Sequence, residues 1–237
     1  MSSARFAAYA WVLAAPAWLA GCGGAEFGPD PRVPSQKRYV LTSGAAPGGP
    51  VELPASGPFN IHLKSSSQNP GAAGTARGAS DASPEGRAFC AAEAAEGGSA
   101  EAEFKIGHRI ENRAGEVRRV NVQVDCAVRH QIEASAEPAP ETLARADLHL
   151  VVLDPAQRAV VKIAVLQADS DAAAGAGRFS LNRGLNIAMP PEASYDVVLF
   201  GKSRAGAAAG QAARVRVDLD ELRMSFTFGA CSTAESR

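Results

Sequence analysis

Tryptophan is missing from nearly all of this chain, because both tryptophans, Trp11 and Trp18, lie close to its start. Proteins that bind sugars commonly stack the apolar face of the sugar on an exposed aromatic ring. The scarcity therefore argues against a carbohydrate-binding module, although Tyr39, Tyr195 and the phenylalanines could still supply a ring.

An excess of charge of either sign is missing too, since 24 basic residues stand against 25 acidic ones. The chain has neither a polybasic run nor an acidic tail. Binding to nucleic acid needs a basic patch, and long-range steering of a charged ligand needs a strong net field. Neither property is expected of this protein.

A hydrophobic run long enough to cross a bilayer as a helix is also absent. The stretch from Phe6 to Leu19 falls short of the roughly 20 apolar residues that a spanning helix needs, and it contains Pro16. One cation, Arg5, precedes this stretch and small residues follow it. This pattern predicts an export signal over 1–21.

The leader ends in Leu19-Ala20-Gly21-Cys22, which resembles the lipobox of bacterial lipoproteins. The resemblance implies that the chain is cut before Cys22 after diacylglycerol is attached to its thiol, so that the membrane is a partner through a lipid anchor. Gly23 stands where the inner-membrane retention signal of enteric lipoproteins has Asp, which favours the outer membrane. The alternative is an ordinary signal peptide with Cys22 as a disulfide partner.

Three further cysteines, Cys90, Cys126 and Cys231, follow the leader. Outside the cytoplasm a disulfide is permitted, and three thiols allow one bond. Cys126 lies on the inward face of a predicted strand and Cys90 ends a long polar stretch, whereas Cys231 lies in the polar tail 229–237. We predict a disulfide between Cys90 and Cys126, with three unpaired thiols as the alternative.

The rest of the chain alternates apolar and polar residues with period two, which is typical of strands. Residues 22–37 are rich in glycine and proline and predict a flexible tether. About ten short strands with no sustained helical period then predict an all-β fold over 38–228, an antiparallel β-sandwich of jelly-roll or Ig-like type. We expect one body; two small sandwiches joined at Pro138 to Pro140 are the alternative.

The best-marked strand carries apolar residues at every second position; they are Val120, Val122, Val124, Cys126 and Val128. It runs to about Ala134, so a bulge or bend is expected. In the last strand the apolar residues change parity at Asp220-Glu221, which predicts a bulge there. Its outward residues Arg214, Arg216, Asp218 and Asp220 form a mixed-charge face that compensates itself and needs no ligand.

The sequence also predicts a loop, a helical turn, a hairpin and a β-turn. Residues 65–86 have few apolar side chains and predict a mobile loop. The alanine-rich stretch after Cys90 predicts a short helical turn. The strand beginning at Phe104 and the strand beginning at Val117 are expected to form a hairpin, and Asp154-Pro155-Ala156-Gln157 a type I turn between two strands.

Asp147 to Gly201 resembles bacterial pre-peptidase C-terminal domains, small jelly-roll sandwiches appended to secreted enzymes. The resemblance rests on the strand and turn at 147–158, the acidic Asp169 to Asp171, and the stretch 186–203 with its proline turn and Tyr195. It departs from the family at Ala193-Ser194, where a glycine usually precedes the tyrosine. It implies a jelly-roll-like sandwich and an accessory role.

Candidate chemistry is sparse. The histidines His62, His108, His130 and His149 lie in separate strands with no spacing that gathers a metal site. Asp169 and Asp171, with Asp147 or Asp154 nearby, could hold calcium at a sandwich edge, although a polar turn explains them equally. The motifs of common hydrolases are absent, so we expect no catalytic residues, no resident metal and no cofactor.

These observations predict a non-enzymatic cell-envelope lipoprotein whose β-sandwich is a protein-interaction or assembly component facing the periplasm or the exterior. The alternative is a lipoprotein that binds a small ligand or a glycan with loops at one end of the sandwich. An apolar cleft with convergent polar groups would favour the alternative. A flat apolar patch or an uncovered sheet edge would favour a protein partner.

Overall fold

The computed structural model describes residues 39–42, 51–52, 58–135, 138–170 and 175–230. Every described residue belongs to one compact unit, which falls within 36–237. Within the described part, no helix is long and apolar enough to cross a membrane. The predicted signal peptide 1–21, tether 22–37 with Cys22, and residues 231–237 of the tail lie outside the described residues.

Twelve strands make up the described structure: β1 (Tyr39–Thr42), β2 (Val51–Glu52), β3 (Ile61–Asn69), β4 (Thr75–Ala82), β5 (Ala88–Ala95), β6 (Ser99–Arg113), β7 (Arg118–Ala134), β8 (Leu143–Leu153), β9 (Ala159–Asp169), β10 (Gly175–Met189), β11 (Ser194–Gly206) and β12 (Ala212–Ala230). The first sheet has the order β1-β6-β11-β8-β9, with β3 also paired to β6. The second sheet has the order β10-β7-β12-β5-β4, with β2 also paired to β12. All pairings are antiparallel except that of β1 with β6.

The all-β antiparallel sandwich is therefore confirmed. Strands from both halves of the chain lie side by side within each sheet, as β6 beside β11 and β7 beside β12 show. The inward faces of the two sheets share one hydrophobic core. Two separate sandwiches joined at Pro138 to Pro140 would not mix their strands in this way.

The alternation in β7 is also confirmed. Val120, Val122, Val124 and Val128 are fully buried, and Cys126 is nearly so. Successive side chains of a strand point to opposite faces, so Asn121, Gln123 and Asp125 lie on the outer face of the second sheet. This parity positions the candidate site described below.

Strand β12 changes register where the sequence predicts a bulge. Its pairing with β7 shifts between Asp220 and Arg223, and Glu221 has a φ of 55°. Leu219 on one side of the bulge and Leu222 on the other are therefore both buried. In β7 itself, where a bulge or bend was expected, the pairing with β10 runs from Arg118 to Ile132 without a register shift.

The predicted turn after β8 is present. The amide of Gln157 donates to the carbonyl of Asp154 at 2.8 Å, and the carboxylate of Asp154 accepts the amide of Arg158 at 2.9 Å. Gln157 follows with a φ of 60°, which closes the β8–β9 hairpin. This geometry is a type I turn followed by a left-handed residue.

The mobile loop predicted over 65–86 is wrong, because most of it is ordered as the end of β3 and the whole of β4. Strand β4 pairs with β5 from Thr75 to Ala82. A Cβ on Gly78 would lie 2.8 Å from the carbonyl oxygen of Glu101, so the chain packs closely here without large side chains. The mobile loop was predicted because few apolar side chains are present here. Backbone hydrogen bonds and close packing stabilise these strands instead.

The helical turn predicted after Cys90 is also wrong. Residues 88–95 form β5, in which Ala88, Cys90, Ala92 and Ala94 are buried and the intervening residues are not. Tertiary packing overrides the helix propensity of alanine here, since small side chains suit a strand that lies close to the opposite sheet.

The hairpin predicted between β6 and β7 does not form. Strand β6 belongs to the first sheet and β7 to the second, so residues 114–117 cross from one sheet to the other. Asn112 holds this crossing, because its side chain donates to the carbonyl of Glu116 at 3.0 Å and accepts the amide of Ala114 at 3.1 Å.

The predicted disulfide between Cys90 and Cys126 is absent, since both thiols are free and buried. Strand β12 separates their strands, and Cys90 is aligned through Val217 with His130, four residues along β7 from Cys126. The offset is roughly 13 Å along the strand direction alone, well beyond the span of a disulfide.

Candidate functional site

The structure leaves the four histidines apart. His62 lies on β3, His108 in the core, His130 near the end of β7 and His149 on the outer face of the first sheet. Among the described residues no three His, Cys, Asp or Glu side chains are placed to share a metal ion.

The acidic residues weighed for calcium have other partners in the described structure. Asp147 accepts hydrogen bonds from Arg145 at 3.0–3.3 Å, and Asp169 is the register partner of the same arginine. Asp154 is occupied by its own turn. Asp171 lies outside the described residues.

Two buried thiols could have suggested redox or nucleophilic chemistry. Burial raises the pKa of Cys90 to about 12 and that of Cys126 to about 12. The sulfur of Cys90 lies 3.2 Å from the hydroxyl of Ser203 in the core between the sheets. Since the thiolate is the reactive form, both cysteines have the character of packing residues.

His108 is a core residue. It is 1% exposed, and its ring lies 4.7 Å from that of Phe59. Burial lowers the pKa of His108 to about 3, because the charged form would lose its hydration. The ring is therefore neutral at physiological pH, which excludes an acid–base role there.

The burial of His108 predicts an acid limb in the stability of the protein. In the unfolded chain its pKa is near 6.5, so lowering the pH from 6.5 towards about 3 protonates the unfolded state first and favours unfolding. Each pH unit in this window should remove up to about 1.4 kcal/mol. We expect His108→Leu to lose less stability than the wild type in urea titrations at about pH 7 and about pH 4; equal losses would contradict this assignment.

The outer face of the first sheet is internally satisfied. Val151, Leu153 and Val198 form a small buried apolar cluster with Ile61 and Phe200 packed against it. Beside it, the guanidinium of Arg109 donates to both carboxylate oxygens of Asp196 at 2.6 and 2.9 Å. Gln157 donates to the same carboxylate at 3.1 Å. The polar and apolar side chains of this patch are thus engaged with one another.

The outer face of the second sheet carries a planar array of polar side chains, which we call the amide face; its members are Asn121, Gln123, Asp125, Asn182, Asn186, Ser225 and Thr227. They come from β7, β10 and β12, and each is exposed or half-buried. Side chains on this face repeat about every 7 Å along a strand and about every 4.8 Å between strands.

Hydrogen bonds between neighbouring strands orient the amide face. Asn121 donates to the side-chain oxygen of Asn186 at 3.1 Å. Gln123 donates to that of Asn182 at 2.7 Å, and Asn182 donates to the carboxylate of Asp125 at 2.6 Å. Gly184 lies opposite Gln123, and a Cβ there would lie 2.9 Å from the amide oxygen, so glycine leaves this amide its place.

Two open depressions lie on the same sheet face. One, of about 580 Å³, continues the amide face and is lined by Arg129, His130, Gln131, Ala176, Gly177, Arg178, Arg216 and Asp218. The other, of about 490 Å³, lies at the far end and includes the row Arg77, Glu93, Arg214 and Glu133. In that row the charges alternate, and Arg214 pairs with Glu93 at 3.0 Å. The mixed-charge compensation predicted for Arg214 thus holds there.

The edge strands of the sandwich have features that oppose the addition of another strand. Within the described residues, nothing pairs with the outer side of β9 or β10. The pairing of β9 with β8 is interrupted by two irregularities, and β10 places the exposed Arg183 between the buried Leu181 and Leu185. Bulges and inward-facing charges are devices that prevent edge-to-edge pairing.

Comparison with known proteins gives only distant structural matches. No family model matches this chain, and no curated protein matches it. A structure from work on promiscuous carbohydrate-binding modules of the β-sandwich superfamily matches at a TM-score of 0.28 and 11% identity, covering 68% of this chain and 56% of that one. The enzymatically active domain of tailspike protein 4 of bacteriophage CBA120 matches at a TM-score of 0.26 and 12% identity, covering 70% and 19%. A CBM4 structure matches at a TM-score of 0.20 and 12% identity, covering 64% and 92%.

Proposed function

We propose that this protein is a non-enzymatic cell-envelope lipoprotein that binds an extended glycan along the amide face. The observation that supports this most is the oriented row of side-chain amides shared by β7 and β10. The binding surface is then a sheet face, and the loops at the end of the sandwich have no part in it.

The chemistry of the amide face suits sugar hydroxyls. A side-chain amide offers both donors and an acceptor, as a hydroxyl does, so the two match in either direction. Asn121, Asn182 and Asn186 are exposed at regular intervals over a flat surface. An extended chain with repeating hydroxyls can therefore meet several amides at once.

A stable protein partner would need an anchor that this face lacks. Interfaces between proteins draw most of their binding energy from a few buried aromatic, aliphatic or arginine side chains. The large apolar residues exposed in the described structure are Val117, Leu143 and Val160, and none lies on the amide face. The depressions on this sheet face are open and have charged side chains in their lining, which suits a hydrated ligand.

The anchoring at Cys22 places this binding face close to a membrane. Acyl chains on the cysteine would hold the protein there, with about 0.8 kcal/mol for each buried CH₂ group. A tether of 22–37 would give the sandwich reach towards a glycan at the same surface. Gly23 supports the outer membrane as its location.

A protein-interaction or assembly role is the second candidate, and the exposed apolar side chain of Val160 on β9 supports it. This strand is rich in apolar residues, and Val160 is 50% exposed. Two register shifts interrupt the pairing of β9 with β8, so the regular stretches of β9 are short. A partner strand added to this edge would therefore form few hydrogen bonds, which weighs against this role. A photoreactive residue at Val160 would test this role against one at Asn186.

The binding experiment uses the full chain in mild detergent on an array of bacterial and plant glycans. We expect Asn182→Ala to weaken binding of the retained glycan about tenfold, because it removes one contact and the orientation of Gln123 and Asp125. Gln167→Ala, on the exposed part of β9, serves as the control and should bind as the wild type does. A protein that retains no glycan, or an Asn182→Ala variant with unchanged affinity, would refute the proposal.

A further inference from the structure

Two arginines lie side by side on neighbouring strands of the second sheet, at the end of the amide face. Arg178 on β10 is the direct register partner of Arg129 on β7, and both are exposed on the outer surface. Like charges placed directly opposite each other in a sheet destabilise the pairing. A sheet that keeps such a pair has another use for it or another partner nearby.

The neighbouring carboxylates do not resolve this repulsion fully. Arg129 pairs with Asp220 at 2.5 Å. Arg216 binds Asp218 through two nitrogens at 2.9 and 2.6 Å, and its guanidinium lies 4.8 Å over the ring of Phe89. Both aspartates are therefore engaged by other arginines.

Arg178 is the third arginine of this group. Within the described part of the chain no carboxylate pairs with it, and its side chain is exposed. Three arginines and two aspartates meet at this point, so the cluster has a net charge of one positive unit. One excess positive charge matches one carboxylate better than a doubly charged phosphate.

The shape of the site leaves room above these charges. The depression of about 580 Å³ has Ala176 and Gly177 in its lining. Asn182 follows Arg178 by four residues on the same face of β10, a separation of roughly 13 Å.

We propose that the glycan bound by the amide face is acidic, and that a sugar carboxylate binds Arg178 and Arg129 in this depression. The inference rests on the proposed function and names the class of its ligand, a uronate-bearing chain. A guanidinium holds a carboxylate with two parallel hydrogen bonds, and Arg178 offers its planar group without breaking an ion pair. The amides of β7 and β10 then hold the neighbouring sugar hydroxyls.

The test compares a short oligogalacturonate chain with its methyl ester, which has the same backbone and no charge. For the wild type at low salt we expect about tenfold tighter binding of the acid than of the ester. Arg178→Gln should abolish this preference while ester binding stays within about twofold. Arg214→Gln, on the same face but paired with Glu93, should change neither affinity.

Each other outcome is decisive. Equal affinity of the wild type for acid and ester, or binding of neutral array glycans alone, overturns the acidic ligand and leaves glycan binding standing. A preference that survives Arg178→Gln overturns the site. If monomeric galacturonate competes as effectively as the oligogalacturonate chain, a free small acid is the ligand. This result overturns the proposal that the carboxylate belongs to a glycan chain. Failure to retain any glycan overturns both this inference and the proposed function.

Discussion

Replacing Val124 by Asp should unfold the protein or come close to it. Val124 is fully buried in the middle of β7, where its side chain packs against the opposite sheet. A carboxylate there would lose its hydration at a cost of several kcal/mol, which its register partner Arg183, exposed on the edge strand β10, would offset only in part. The whole stability of an ordinary domain is about 5–15 kcal/mol. Thermal or urea unfolding of the full chain measures the effect.

The adjacent residue provides the control. Gln123 points to the outer face, so Gln123→Asp exchanges one half-buried polar group for another and loses one hydrogen bond to Asn182. Its effect on the free energy of unfolding should stay within about 1 kcal/mol. Equal effects of the two substitutions would contradict the alternation of β7 on which the amide face depends.

Strands with large apolar side chains were predictable from the sequence. In β7 the valines repeat every second residue, and in β12 the change of parity at Asp220-Glu221 marks the bulge itself. A side-chain period of two fixes which face each residue occupies, so the outer position of Gln123 followed as well. These features depend only on neighbours in the chain.

Strands made of small residues were not predictable in the same way. In β4 and β5 the buried side chains are mostly alanine, and alanine favours a helix when nothing else acts on it. Their strand conformation comes from pairing with β12 and from the close approach of the other sheet. The crossing of 114–117 between the sheets likewise depends on Asn112, whose side chain bonds to the carbonyls of Met189 and Pro190 far along the chain.

The candidate site shows the same limit. The sequence placed Asn121, Gln123 and Asp125 on the outer face, yet nothing in it joined them to Asn182 and Asn186. That array exists because β10 pairs with β7 in one register, some sixty residues apart in the chain. The excess charge of Arg178 could not be predicted for the same reason. The charges of β12 alone balance one another, and Arg178 joins them only because β10 pairs with β7.

The second large effect concerns attachment to the membrane, which we expect to depend on Cys22 alone. Cys22→Ser removes the thiol that would carry diacylglycerol, so incorporation of labelled palmitate should fall to background. Cys90 and Cys126 cannot substitute for it, because both are buried. The sandwich lies in 36–237, so its thermal unfolding should be unchanged in the variant.

Cys231→Ser is the matched control for this experiment, because it also exchanges one thiol for a hydroxyl but lies in the polar tail. It should keep both the palmitate label and the membrane fraction of the wild type. Replacing residues 1–21 by an ordinary cleavable signal in the Cys22→Ser background should give a protein that fractionates as soluble, since no acyl chain then holds it to the bilayer. Palmitate retained by Cys22→Ser, or a wild type without label, would refute lipid attachment at Cys22.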